Sequence, residues 1–141
     1  MTRKRRTRVL VLGDAALRKA LAAEVRASFV VEESEPRMGL VLATVRESAR
    51  RSLFHLGEVL VTEAKARVAG VAGLGLIQGQ DFEAARDLAI IDAAWSAAPA
   101  LVQRWIPLLE AAQVLLDARL DSEQASLMAT RVEFETLGVS P

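Results

Sequence analysis

"FHLGEVLVTEAKARV", residues 54–68, decides the fold. Read with a period of two, one face carries Phe54, Leu56, Glu58, Leu60, Thr62, Ala64, Ala66 and Val68. All but Glu58 are apolar or small, the pattern of a long strand with one face against a core. The other face reads His55, Gly57, Val59, Val61, Glu63, Lys65 and Arg67, and ends in a row of charges. Such a row is ordinarily a solvated face with weak mutual pairing. Its functional alternative is contact with a partner subunit or a phosphate. Arg67 suits the latter, because a planar guanidinium binds oxyanions bidentately.

Glu58 interrupts the apolar face. A buried ionised carboxylate is costly unless paired or hydrogen-bonded. Three arrangements satisfy it. A bulge at Gly57 turns it to the wet face, an arginine of this chain pairs with it, or a partner's cation or backbone amides meet it.

Outward from this strand, "FVVEESE" and "GLVLATVRE" read as strands on either side of Pro36, and "LGLIQG" as a last short strand after the turn glycines of "AGVAG". Short links favour an antiparallel meander over parallel crossovers. Before the sheet, "VLVLG" looks like strand and turn by propensity. "DAALRKALAAEVRASF" reads as a helix capped by Asp14, with Leu17, Leu21 and Val25 at spacing four. After the sheet, Asp81 caps a helix with Ala84, Leu88, Ile91 and Trp95 on one stripe. A further helix follows with a break near Pro107, and Asp121 starts another. "VEFETL" alternates like a final strand. The expectation is one α+β domain over residues 1–141: N-terminal helices, a central antiparallel β-meander, and C-terminal helices packed on the sheet. The basic cluster within residues 1–8, "RKRRTR", is expected to be a solvated, frayed end.

Composition narrows the chemistry. The formal net charge is zero, so no whole-chain field draws in nucleic acid or an anionic membrane. There is no Cys and one His, His55, which excludes thiolate nucleophiles, Cys-bound zinc and any site built on two histidines of this chain. No apolar run approaches the roughly 18–20 residues that span a bilayer. The apolar run after the basic start is too short for a signal peptide, and a cytoplasmic location is expected. At 52%, hydrophobic residues slightly exceed the usual share, which hints at apolar surface covered by another subunit.

"VAGLGLIQG" imitates a dinucleotide fingerprint, but Gln78 stands at the third glycine position and Gly79 comes one residue late. No second parallel strand follows, and Asp81 at the helix start repels phosphate. Gly73 and Gly75 are better read as serving tight turns and close backbone packing.

Taken together, these residues resemble the G subunit of the carbon–phosphorus lyase core complex. That family reads F-N-L-G-E, then V-T-R, then V-R, then a glycine-rich strand ending in G-R-D, then an Ala/Glu-rich helix. Phe54, Leu56, Gly57 and Glu58 match the first element, Val61 and Thr62 the second, Arg67 the third, and Gly79 and Asp81 the fourth. Upstream, "EPRMGLVLATVR" resembles the family's E-x-G-L-V strand; downstream, "ATRVEFETL" resembles its A-x-R-V-D-F-x-T-L ending, with Arg131, Val132 and Phe134 in register. The likeness runs over roughly residues 8–137, and its specificity lies in the order and spacing of motifs. The departures are His55, Glu63, Ala64 and Gln80, where the family has Asn, Arg, Cys and Arg.

The resemblance implies a helical start, so "TRVLVLG" is expected to be helix after all. It also implies a complex of four subunit types serving phosphonate use. In its transfer step methylphosphonate replaces adenine at the ribose C1′ of ATP, giving ribose 1-methylphosphonate 5-triphosphate. On that footing the chain is a non-catalytic subunit whose partners are the H, I and J types, most directly the I type. ATP is then the complex's substrate, and this chain alone holds no cofactor or metal. Expected at the partner interface or near phosphate are Phe54, Gly57, Glu58, Thr62, Lys65, Arg67, Gly79, Asp81, Arg131 and Phe134. A free-standing small nucleotide binder and a homodimeric scaffold are the alternatives.

Overall fold

In a computed structural model the backbone is described for residues 1–47 and 52–136, and side chains for residues 1–42 and 57–129. The order is α1 (Arg3–Leu12), α2 (Ala15–Ser28), β1 (Val31–Glu33), β2 (Arg37–Glu47), β3 (Ser52–Val68), β4 (Val71–Gln78), α3 (Phe82–Ala97) and α4 (Pro99–Thr136).

β3 is the spine of an antiparallel sheet. Its C-terminal half pairs with β4 in the register Val61 with Gln78 to Val68 with Val71. The two-residue turn between them, Ala69 and Gly70, has positive φ at both positions, the twist that a tight hairpin prefers. The other edge of β3 is shared end to end. β1 covers Ala66 to Val68, and β2 runs antiparallel along the rest, from Arg37 opposite Glu63 to Glu47 opposite Ser52. The expected meander and α+β class are therefore present, although "FVVEESE" supplies only the three residues of β1.

β3 keeps its period of two. Thr62, Ala64, Ala66 and Val68 are buried, while Lys65 and Arg67 are exposed. α3 lies on the buried face, and its small residues let it come close. A Cβ added at Gly75 would sit 2.1 Å from the Ala85 carbonyl oxygen, and one at Gly73 would sit 2.3 Å from that of Ala89. These glycines are contact points between sheet and helix, which leaves no opening for a phosphate. The side of α3 away from the sheet is covered by α1, α2 and α4, so it is buried nearly all round. Trp105 and Leu109 of α4 complete that side.

Asp14 and Asp81 cap α2 and α3 as expected, accepting from the amides of Ala16 and Ala84. α2 is fastened to α3 by Arg18 and Arg26, both on Asp87, which is 1% exposed. Burial raises the Asp87 pKa despite the two guanidiniums. α2 is tied to α4 by Glu24. It accepts from the Trp105 indole at 3.0 Å and pairs with Arg104, which together hold its carboxyl below the usual range.

Four expectations are corrected. The basic start is no frayed end: it is the first turns of α1. Arg6 is buried there at 2.7 Å from Asp92, and Arg3, Arg5 and Arg8 reach Asp92, Gln113 and Asp117. "VLVL" continues α1, with Val9 and Leu10 in the core, in line with the family resemblance rather than with propensity. α4 passes through Pro107 and Asp121 as one helix of 38 residues, so there is neither a break nor a new cap. Burial of Trp105 and Leu109 on either side of Pro107 offsets the roughly 3 kcal/mol that an interior proline costs. "VEFET" is the end of that helix, not a strand; Leu137 lies outside the described residues.

Candidate functional site

β4 stops opposite Val61, but β2 and β3 run on together. Beyond that point they form a two-stranded ribbon with no third strand among the described residues. α3 does not reach it either. On the α3-facing side the even positions of β3 pass from buried Thr62 to Leu60, 42% exposed, and then to exposed Glu58. Opposite them on β2, Leu40 is 62% and Leu42 64% exposed. On the reverse side Val41 is also exposed, beside partly exposed Val59. Among the described residues, the ribbon is thus apolar on both faces and covered on neither. Two-stranded hairpins are marginal alone, and apolar unpaired edges invite another chain.

This placement answers the question about Glu58. A bulge does occur: Ala43 pairs with Gly57 and Thr44 with His55, so Leu56 is the extra residue, and Gly57 has φ +132°. From Gly57 onward, however, the alternation is regular, so Glu58 shares the face of Thr62 and Ala64. It is exposed because the helix layer ends before it. It lies opposite Leu42.

Thr62, Gly79 and Asp81 come together at the rim of the core, where Thr62 is buried, Gly79 half-buried and Asp81 exposed. The Thr62 hydroxyl donates to the Gly79 carbonyl at 2.6 Å and accepts from the Asp81 amide at 3.2 Å. Gly79 has φ +85°, and its amide donates to the Leu60 carbonyl at 2.8 Å. This knot turns the chain from β4 into α3 and fixes where the ribbon leaves the body. Gly57 and Glu58 lie on the ribbon. Phe54 is on its β3 strand opposite Val45, with its side chain outside the described residues, as are those of Arg131 and Phe134 near the end of α4.

Lys65 and Arg67 lie elsewhere. With Glu32, Ser34, Leu74 and Arg3 they line a groove of about 800 Å³ that crosses the sheet from β1 to the outer edge of β4. At that edge Asp92 binds Arg3 and Arg6 and accepts from the Leu74 amide at 3.0 Å. Leu40 and Leu42 were not singled out in the sequence, although "GLVLATV", apolar at successive positions, already departs from the alternation of a strand with one solvated face. Nothing local marks Asp92, whose partners are remote in sequence.

The arrangement offers surfaces more readily than reacting groups. Among the described residues no cluster of His, Cys, Asp and Glu is placed to hold a metal ion. Among them, too, no helix is long and apolar enough to cross a membrane. A search of the curated proteins finds no match. The family model for phosphonate metabolism protein PhnG matches residues 1–138, and the chain belongs to that family, with a role in phosphonate metabolism.

Proposed function

We propose that this chain is a non-catalytic subunit of the carbon–phosphorus lyase core complex, required for the transfer of methylphosphonate to the ribose C1′ of ATP with release of adenine. The observation that carries the reading is the β2–β3 ribbon, which among the described residues is apolar on both faces and open on both edges, and on which the F-x-L-G-E motif falls. An exposed apolar surface of this kind marks a site that another protein covers. The I-type subunit is the proposed neighbour, with the ribbon and the Arg131–Phe134 end of α4 as its docking elements. The H and J types complete the assembly in the cytoplasm. The chain brings one His and no Cys, so its part is to hold a partner's site in shape rather than to move protons or form covalent intermediates. ATP is the substrate of the assembly, and this chain alone holds no cofactor.

The test is co-expression with the H-, I- and J-type subunits. The expected results are a stable complex, transfer activity that disappears when this chain is omitted, and no transfer or nucleosidase activity from this chain alone. Clean separation of this chain from the I-type subunit, or turnover by the lone chain, overturns the reading.

A further inference from the structure

The groove over β1, β3 and β4 is not needed for docking through the ribbon, and its charges are unevenly matched. Six charged residues line it: Arg3, Lys65 and Arg67 against Glu32, Glu33 and Asp92. Two of the acids are already engaged. Glu33 meets Arg26 at 3.1 Å, and Asp92 is shared by Arg3 at 2.8 Å and Arg6 at 2.7 Å, two cations on one carboxylate. Lys65 has only Glu63 among the described residues, at 3.9 Å. Arg67 has no ion pair among the described residues, although Glu32 is its direct cross-strand neighbour. Lys65 and Arg67 point to the same face of β3, roughly 7 Å apart along the strand. Among the described residues no helix covers this sheet face, and both side chains are exposed and open to a ligand.

From this we infer that the groove is an oxyanion site for a phosphoryl or phosphonyl group, with Arg67 as its bidentate donor and Lys65 and Arg3 as flanking charges. The identity of the oxyanion rests on the phosphonate reading above; the existence of the site does not. A guanidinium without a carboxylate partner offers two parallel N–H donors in the spacing of two phosphate oxygens. The volume falls in the range of small-molecule sites and exceeds what a lone phosphate fills, so the groove has room for a polyphosphate chain. Glu32 works against such a ligand. It is the one lining acid with no ion pair among the described residues, and it faces the same space. The site therefore has a sign that can be tested in both directions.

The experiment is calorimetric titration of the full chain with inorganic tripolyphosphate and, separately, with methylphosphonate. The expected result is saturable binding of at least one probe. Arg67→Ala weakens it by about tenfold or more, Arg67→Lys weakens it less, and Glu32→Gln tightens it by about threefold or more. Lys4→Ala, an exposed cation outside the groove, leaves it unchanged. Thermal melts of each variant confirm that the fold is kept. Preference for one probe identifies which oxyanion the groove takes. No saturable heat with either probe at concentrations on the order of 10 mM, or equal losses from Lys4→Ala and Arg67→Ala, overturns the site. A chain that assembles with its partners but binds neither probe refutes the groove and spares the subunit reading. A chain that binds tripolyphosphate but assembles with nothing does the reverse.

Discussion

Thr62 is buried where β3, the end of β4 and the start of α3 meet, and its hydroxyl is both donor and acceptor there. Thr62→Val keeps the shape and removes both hydrogen bonds. The Gly79 carbonyl and Asp81 amide are then left without that partner at a part-buried junction, which costs at most about 2–6 kcal/mol at roughly 1–3 per group. Thr62→Ser retains the hydroxyl and loses one methyl, about 1 kcal/mol. Urea unfolding of the two variants distinguishes the roles, and a valine variant as stable as the serine variant would show that the hydroxyl does nothing structural. The sequence made Thr62, Gly79 and Asp81 conspicuous through their order, but not their meeting. Thr62 and Gly79 are 17 residues apart, and only the register set by the Ala69–Gly70 turn brings them together. Asp87 shows the same limit. A lone acid in an Ala-rich helix announces nothing until α2 lays Arg18 and Arg26 beside it.

At the scale of elements, the decisive contact is β4 on α3. Gly75→Ala puts a methyl 2.1 Å from the Ala85 carbonyl oxygen and 2.7 Å from the Ala89 amide nitrogen, both backbone atoms that cannot yield separately. The helix must lift from the sheet, and overpacking of this kind costs about 1–3 kcal/mol or more. Gly39→Ala on the ribbon is the control. Nothing lies within 4 Å of its added Cβ, and the expected change is within about 0.5 kcal/mol. Equal melting temperatures for the two variants would mean that β4 and α3 are not in close contact. Local chemistry did announce some elements: Asp14 and Asp81 as caps, and the alternation in β3. It failed where distant partners decide. "VLVL" favours a strand by propensity, yet arginines on the same segment find Asp92, Gln113 and Asp117 only if it is helical. Pro107 predicts a break, but the burial of Trp105 and Leu109 against the core carries α4 through it.

The whole molecule divides into a packed body and an uncovered arm. The buried cluster joins α1, α2, α3 and α4 to the C-terminal end of β3, and no described residue of β2 belongs to it. Leu40 and Leu42 therefore add little to the stability of the isolated chain while presenting apolar surface to whatever docks. Leu40→Lys combined with Leu42→Lys should leave the unfolding free energy within about 1 kcal/mol of the parent, since surface changes usually stay within roughly 0.5 kcal/mol each. The same pair should cost heavily in assembly. Burying a leucine side chain is worth about 1.5–3 kcal/mol, so losing two weakens association by roughly a hundredfold or more and leaves two buried charges to be accommodated. Co-purification with the I-type subunit reads the second effect and urea unfolding the first. The charged variant should also reduce any self-association of the lone chain, because lysines on an open strand block edge-to-edge pairing. If the double variant unfolds at much lower urea, the arm belongs to the core after all. If it stays folded and still co-purifies like the parent, the partner does not sit on this ribbon.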